Sequence, residues 1–313
     1  MDILLQILFL IAGFVMLIKG ADWFVEGASK IADKFGIPQL VIGLTIVAMG
    51  TSAPEAAVSI SAAMKQNAGI TIGNVVGSNI MNIFLILGIT SVITAISVQK
   101  STIKYEIPFL IAISVLLPVL GMLGGTVSRL DGVILWICFV AYLLYLLRMA
   151  KKGQAVLEDI PESEANESVL KLIVLVLVGG ALIVFGSDVT VDAATALAKI
   201  FGMSDRLIGL TIVAFGTSLP ELITSVTAGI KGKADIAVGN IVGSNVFNIL
   251  FVVGTTALIT PVAFASNFVV DSVIAVLAAV ILLVCVLKEQ KLKRTGGIIM
   301  LVSYAAYFVY LLI

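Results

Sequence analysis

Ten long apolar runs alternate with short polar breaks along the chain, at roughly 3–19, 39–62, 70–94, 104–122, 130–148, 169–186, 206–229, 236–260, 268–287 and 296–313. Most have about the 17–25 residues that a helix needs to cross the hydrocarbon core of a bilayer. They are too continuous for the alternating strands of a membrane barrel. The pattern therefore predicts an all-α polytopic membrane protein with ten transmembrane helices and the lipid bilayer as its surroundings. No basic region or small-residue cleavage site flags the first run as a removable signal peptide. Residues 150–168 (AKKGQAVLEDIPESEANES) are the one clearly polar stretch and read as a solvated linker.

The runs repeat. Gly43 to Glu55 read GLTIVAMGTSAPE and Gly209 to Glu221 read GLTIVAFGTSLPE; Gly73 to Gly88 (GNVVGSNIMNIFLILG) return as Gly239 to Gly254 (GNIVGSNVFNILFVVG). The offset is 166 from Gly20/Gly186 to Asn82/Asn248, and 165 at Tyr142/Tyr307 and Tyr145/Tyr310. The expected organisation is a first five-helix repeat over 1–148, a cytoplasmic linker over 149–168 and a second repeat over 169–313. Five spans per copy put the second copy into the membrane upside down. That makes two inverted repeats, a construction transporters use with the binding site at the repeat interface.

Charge orients this arrangement. With the N-terminus outside, the outer loops hold only Lys65, Arg129, Lys199 and Arg206, and the other 15 of the 19 basic residues fall inside. The positive-inside rule thus places both termini outside and the linker in the cytoplasm. Composition agrees with the class, at 60% hydrophobic and 12% charged, and a net charge of zero supports no nucleic-acid partner. Histidine is absent, and Cys138 and Cys285 stand alone in separate apolar runs, so neither a disulfide framework nor a soft-metal site follows. The acids of the linker lack the spacing and central glycine of an EF-hand loop.

Polar residues in the middle of both copies carry the chemistry. A carboxylate in a membrane span is costly and is a functional candidate by default. Pro54 and Pro220 lack an N–H, which releases a carbonyl near Gly50 and Gly216. Thr51, Ser52 and Glu55, like Thr217, Ser218 and Glu221, share one helix face. In the following run Asn74, Ser78 and Asn82 are spaced by four, as are Asn240, Ser244 and Asn248. Asn79 and Asn245 point off this stripe and are candidates for helix–helix hydrogen bonds. Gly73 and Gly77, with Gly239 and Gly243, suit close helix packing. Two carboxylates, neutral side-chain oxygens and freed carbonyls suit a hard cation. Calcium accepts six to eight oxygens at flexible geometry, and sodium also takes carbonyls and hydroxyls at unwound transporter helices. Two glutamates balance one Ca²⁺, whereas three Na⁺ leave one positive charge.

At these motifs the sequence resembles the cation/calcium exchanger superfamily, most closely its prokaryotic sodium/calcium exchangers. The resemblance implies ten helices in two inverted five-helix repeats and exchange of Na⁺ for Ca²⁺, without a prosthetic group, in the plasma membrane. It matches Glu55, Glu221, Thr51 and Thr217 to the family's central calcium ligands. Ser52, Ser78, Ser218 and Ser244, with the Ala48 and Ala214 carbonyls, match residues around the flanking sodium sites. Asn82 and Asn248 match the positions that complete the centre. The first and sixth helices are expected, by the same resemblance, to slide during alternating access. Relatives often carry aspartate at one stripe position, a feature associated with potassium use. Asparagine at both leans away from K⁺ co-transport, and GTS-x-PE differs from the motif of proton-driven relatives. A cation channel is the reading from a different class. An intramembrane enzyme ranks last, because no HExxH motif and no histidine is present.

Overall fold

The apolar runs become helices in the computed structural model, which describes residues 3–65, 69–155, 168–202 and 214–312. Eight described helices are long and apolar enough to span a bilayer: α1 (Ile3–Phe35), α4 (Thr71–Ile93), α5 (Thr102–Gly124), α6 (Arg129–Lys152), α7 (Val169–Ile200), α10 (Ala234–Ile259), α11 (Phe268–Leu287) and α12 (Arg294–Leu311). A ninth span is broken into α2 (Gln39–Thr51) and α3 (Ala53–Met64), which meet at a bend of 50°. The run expected at 206–229 is described only through α8 (Ala214–Thr217) and α9 (Leu219–Ile230), since 203–213 lie outside the described residues.

Two helices are much longer than their apolar runs. The first and sixth runs end at residues 19 and 186, where charge begins, yet α1 and α7 continue for more than a dozen residues. Charged side chains do not break a helix. On α1, Lys30 pairs with Glu26 one turn back, at 2.7 Å. The real stops are Gly36 and Gly202, both at positive φ (63° and 79°), a conformation that glycine adopts without penalty. Helix α6 likewise continues to Ala155, so the first residues of the expected linker are helical; residues 156–167 lie outside the described residues.

Helices α10 and α4 form the centre. In their spanning windows 94% and 72% of residues are buried, against 22–33% in the remaining long spans. The peripheral pair α1 and α7 pack on each other antiparallel, with Gly13 against Thr190 and Gly186, Gly20 against Gly179 and Ile183, and Gly27 against Leu172 and Val176. A Cβ on Gly20 would lie 2.8 Å from the Gly179 carbonyl oxygen. Lipid is as apolar as leucine, so such helices associate by close packing rather than by escape from water.

Gly239 and Gly243 meet the packing expectation. They lie against Gly43, Leu44 and Ala48 of α2, and a Cβ on Gly243 would stand 2.7 Å from the Leu44 carbonyl. Gly73 and Gly77 depart from it. A Cβ on Gly73 would make only ordinary contact with Phe268, and Gly77 has no described neighbour within 4 Å.

Two features were not legible in the apolar pattern. Four two-residue strands form antiparallel ribbons, β1 (Ile96–Ser97) with β4 (Lys291–Leu292) and β2 (Thr126–Val127) with β3 (Val262–Ala263), each joining one half of the chain to the other. The second feature is another pair of carboxyls at equivalent places. Tyr145 donates to the buried Glu106, and Tyr307 donates to Asp271 at 3.2 Å, tying α6 to α5 and α12 to α11.

The glycine contacts give a contrast to measure. Gly20→Val forces a side chain into the α7 backbone and is expected to cost on the order of 1–3 kcal/mol, read as a lower melting temperature in detergent. Gly124→Ala, at a position with nothing within 4 Å, should leave the melting temperature unchanged or raise it.

Candidate functional site

The break in the second span is local chemistry. Ser52 sits between α2 and α3 at φ −83°, ψ 8°, off the helical conformation, and Pro54 occupies the first turn of α3. Ser218 (φ −92°, ψ 3°) and Pro220 do the same between α8 and α9. Each break starts a new helix inside the membrane-spanning region, and Glu55 and Glu221 lie in its first turn. There the unpaired N–H groups and the helix dipole favour negative charge.

The S-x-x-E spacing invites a simpler account, the capping box, in which the serine caps its own helix. The geometry rejects it. Neither serine makes a side-chain cap; instead Ser52 Oγ donates to Glu221 Oε1 in the other half, at 2.8 Å. Thr217 and Ser218 stand beside the Glu55 carboxyl in turn, the Ser218 hydroxyl outside hydrogen-bonding geometry, and the two carboxyls are close enough to repel each other. Each break therefore faces the carboxylate of the opposite half. Both glutamates are 1% exposed.

The stripe residues of α4 and α10 frame this pair. Asn74 Nδ2 donates to the Glu55 carbonyl (3.2 Å) and to Ser59 Oγ (2.9 Å). Asn240 Nδ2 repeats this to the Glu221 carbonyl (3.5 Å) and Ser225 Oγ (2.9 Å), and Asn240 Oδ1 accepts from Thr51 Oγ1 at 2.9 Å. One turn along, the halves clasp each other symmetrically. Asn79 Nδ2 donates to the Asn245 carbonyl and Asn245 Nδ2 to the Asn79 carbonyl, both at 3.2 Å. Asn82 Nδ2 donates to Asn245 Oδ1 (2.9 Å) and Asn248 Nδ2 to Asn79 Oδ1 (3.2 Å). The expectation that Asn79 and Asn245 join helices holds in full. Both α4 and α10 turn π-helical at the stripe's end, over Asn82–Leu87 and Asn248–Val253, a distortion frequent at functional sites.

What remains unsatisfied is informative. Buried polar atoms almost always find partners, and a lone one costs about 1–3 kcal/mol. Here Glu55 Oε1 and Oε2, Glu221 Oε2, Asn82 Oδ1, Asn248 Oδ1 and Ser218 Oγ are buried without one among the described residues. All six are oxygens, and both asparagines have turned their nitrogens away to the clasp. The described residues contain no cluster of three or more His, Cys, Asp or Glu. The site is thus two carboxylates among neutral oxygens, made from both halves.

Other expected residues are placed less simply. Ser244 Oγ donates to the Ala48 carbonyl at 3.4 Å, which also receives the Ser52 N–H, so this carbonyl is already engaged. Ser78 is buried on α4, and Thr217 is half-buried at the end of α8, which Ala214 begins. The carbonyl released near Gly216 is not free, because Ser187 of α7 donates to it at 2.7 Å. The equivalent of Ser187 in the first half is Ala21, which has no hydroxyl. Ser59 and Ser225 belong to the framework and were missed in the sequence. The signal that could have found them is their spacing of four from Glu55 and Glu221, which puts each serine one turn from a carboxylate.

The sodium/calcium exchanger protein family matches residues 5–148 and 171–313. The chain belongs to this family. Among its relatives is the putative antiporter CaxA of Alkalimonas amylolytica, 40% identical over 97% of this chain and 98% of that one. The sodium/calcium exchanger MaX1 of Methanosarcina acetivorans is 32% identical over 99% of each. The sodium-calcium exchanger NCX_Mj, solved without Na⁺ and Ca²⁺, superposes with a TM-score of 0.86 at 34% identity, covering 99% of this chain and 100% of that one. This member of the exchanger family is accordingly a multi-pass protein of the cell membrane.

The clasp makes a measurable claim. Asn79→Ala and Asn245→Ala should each cost about 1–3 kcal/mol by stranding a buried amide partner. The double variant should lower detergent melting further than either single one, because the bonds lost are distinct: each amide donates to a backbone carbonyl that alanine keeps.

Proposed function

We propose that this chain is an antiporter that exchanges Na⁺ for Ca²⁺ by alternating access. The observation that carries the reading is the set of unsatisfied buried oxygens contributed by Glu55 and Glu221, Asn82 and Asn248, and Ser218. Hard cations take such ligands, and the names of MaX1 and NCX_Mj state sodium and calcium. In this reading Glu55 and Glu221 hold Ca²⁺, with Thr51 and Thr217 contributing backbone carbonyls and Asn82 and Asn248 side-chain oxygens. Ser52, Ser78, Ser218 and Ser244, with the Ala48 and Ala214 carbonyls, serve the Na⁺ positions.

Electrostatics supplies the coupling. Two ionised carboxylates buried without a counter-charge are very unfavourable in a medium of low dielectric. The empty site therefore resists closing over, whereas one Ca²⁺ neutralises it and admits closure. Na⁺ ions claim the same oxygens and neutralise it in turn, so either ion licenses the switch while both exclude each other. Three Na⁺ against one Ca²⁺ moves one net charge, which makes the exchange electrogenic and suited to Ca²⁺ extrusion.

The proposed frame is ten helices in two inverted five-helix repeats, 1–148 and 169–313, joined by the 149–168 linker, with both termini outside. Antiparallel α1 and α7, ribbons that cross between halves, and the mutual bonds of Asn79 and Asn245 all support it. Asparagine at both stripe ends, each with its oxygen left for the ion, favours a cycle without K⁺.

Uptake of labelled Ca²⁺ into proteoliposomes tests this. An outward Na⁺ gradient should drive accumulation, while equal K⁺ or H⁺ gradients should not. Glu55→Gln or Glu221→Gln should reduce Na⁺-driven flux to background while the protein still elutes as a folded species. Full flux in both variants, or dissipation of Ca²⁺ without accumulation as through a channel, would refute the proposal.

A further inference from the structure

The contacts of Asn74 and Asn79 return at Asn240 and Asn245, so a charged contact made in one half alone, by residues kept in both, can report the state of the molecule. Lys231, at the end of α9, makes such a contact with Asp22 of α1. Its Nζ lies 2.6 Å from Asp22 Oδ1 and 3.0 Å from the Asp22 carbonyl. A shift of 166 turns Lys231 into Lys65, at the end of α3, and Asp22 into Asp188 of α7. Both charges are kept across the duplication, but the pair is open: among the described residues Lys65 and Asp188 make no ion pair. Asp188 has Asp192 one turn along, a like charge that a cation would relieve.

We infer that Lys231–Asp22 and Lys65–Asp188 are alternating latches, positioning pairs that hold the α1/α7 unit at one end of the molecule or the other. This rests on the alternating-access reading above. Two inverted repeats exchange conformations when the site changes sides, so a bond present in one half can pass to the other where both partners are kept. Helices α1 and α7 pack closely along their length, at Gly13, Gly20 and Gly27 and through Leu17, Phe24 and Ile183, which would carry them together as one unit. Sliding that unit toward the Lys65 end withdraws Asp22 from Lys231 and brings Asp188 to Lys65. Both members of the closed pair are part-exposed, at 29% and 39%, so each latch is weak enough to break in a cycle.

The two ends are unequal. Lys233 approaches Asp33 of α1 at 4.0 Å and reinforces the Lys231 end. The shift of 166 turns these residues into Asn67 and Lys199, which cannot form an ion pair with each other. The state with the Lys231 end latched is therefore favoured in the absence of ions.

The test uses the full chain in proteoliposomes, carrying Cys138→Ala and Cys285→Ala to remove the native thiols. Adding Lys65→Cys with Asp188→Cys should allow an oxidant to form a disulfide during Na⁺-driven Ca²⁺ exchange. Exchange should stop on oxidation and return on reduction. Including Asp22→Asn should speed that crosslink about 2- to 5-fold, the scale of an exposed ion pair, and Asp22→Lys with Lys231→Asp should reverse the gain. Without cysteines, Asp22→Asn should change the ratio of half-saturating Ca²⁺ on the two membrane faces by a similar factor, and Asp188→Asn should change it in the opposite sense. Sustained exchange with no crosslink, or an unchanged ratio in both charge variants, overturns the latch and leaves the exchanger reading standing. No Na⁺-driven Ca²⁺ uptake by the unaltered protein overturns both.

Discussion

Two carboxylates sit in the low-dielectric interior of this protein with no basic side chain among the described residues to neutralise them. The ion pairs of the described residues lie on α1 and at the helix ends, and none reaches Glu55 or Glu221. A pair of buried acids with no counter-charge is tolerated only if something mobile supplies that charge. Most of the surrounding structure follows from this. The helix breaks at Ser52 and Ser218 aim two helix N-termini at the carboxylates. The breaks also free hydroxyls to reach across the interface, as Ser52 does. The stripe asparagines satisfy their nitrogens elsewhere so that their oxygens stay available.

Both halves contribute to this site, and two kinds of packing hold them together. The centre, α4 and α10, is fastened by the reciprocal amide bonds of Asn79, Asn82, Asn245 and Asn248, which fix both stripes relative to one another. The periphery, α1 and α7, is bound by glycine contacts that hold backbones close, with Leu17, Phe24 and Ile183 packed beside them. Hydrogen bonds in the bilayer are directional and set a position, while small residues let backbones approach closely. The tyrosine–carboxyl ties at Glu106 and Asp271 join the outer helices in pairs, α6 to α5 and α12 to α11.

Duplication explains why so few residue types suffice. Each half supplies one carboxylate, one broken helix and one asparagine stripe, and the other half supplies the complement. The departures from symmetry carry the extra information. Ser187 occupies the released carbonyl of Gly216, whereas the first half has Ala21 at that place. Lys231 is paired with Asp22, whereas Lys65 and Asp188 stay apart.

The amino-acid sequence by itself determined the class, most of the spans and the repeat, because apolar length, helix period and internal identity are local properties. It marked Glu55 and Glu221 through the cost of an acid in lipid, and it set Asn79 and Asn245 apart by their direction off the stripe. It misplaced the ends of α1 and α7, because apolarity stops where charge begins while a helix stops only at a breaker such as Gly36 or Gly202. Only the tertiary structure decided that Ser52 serves the opposite carboxylate and not its own helix, that the Ala48 and Gly216 carbonyls are already engaged, and that the Gly243 side is packed. Those outcomes depend on which groups from distant parts of the chain compete for one partner, and a competition between the two halves leaves no trace in local pattern.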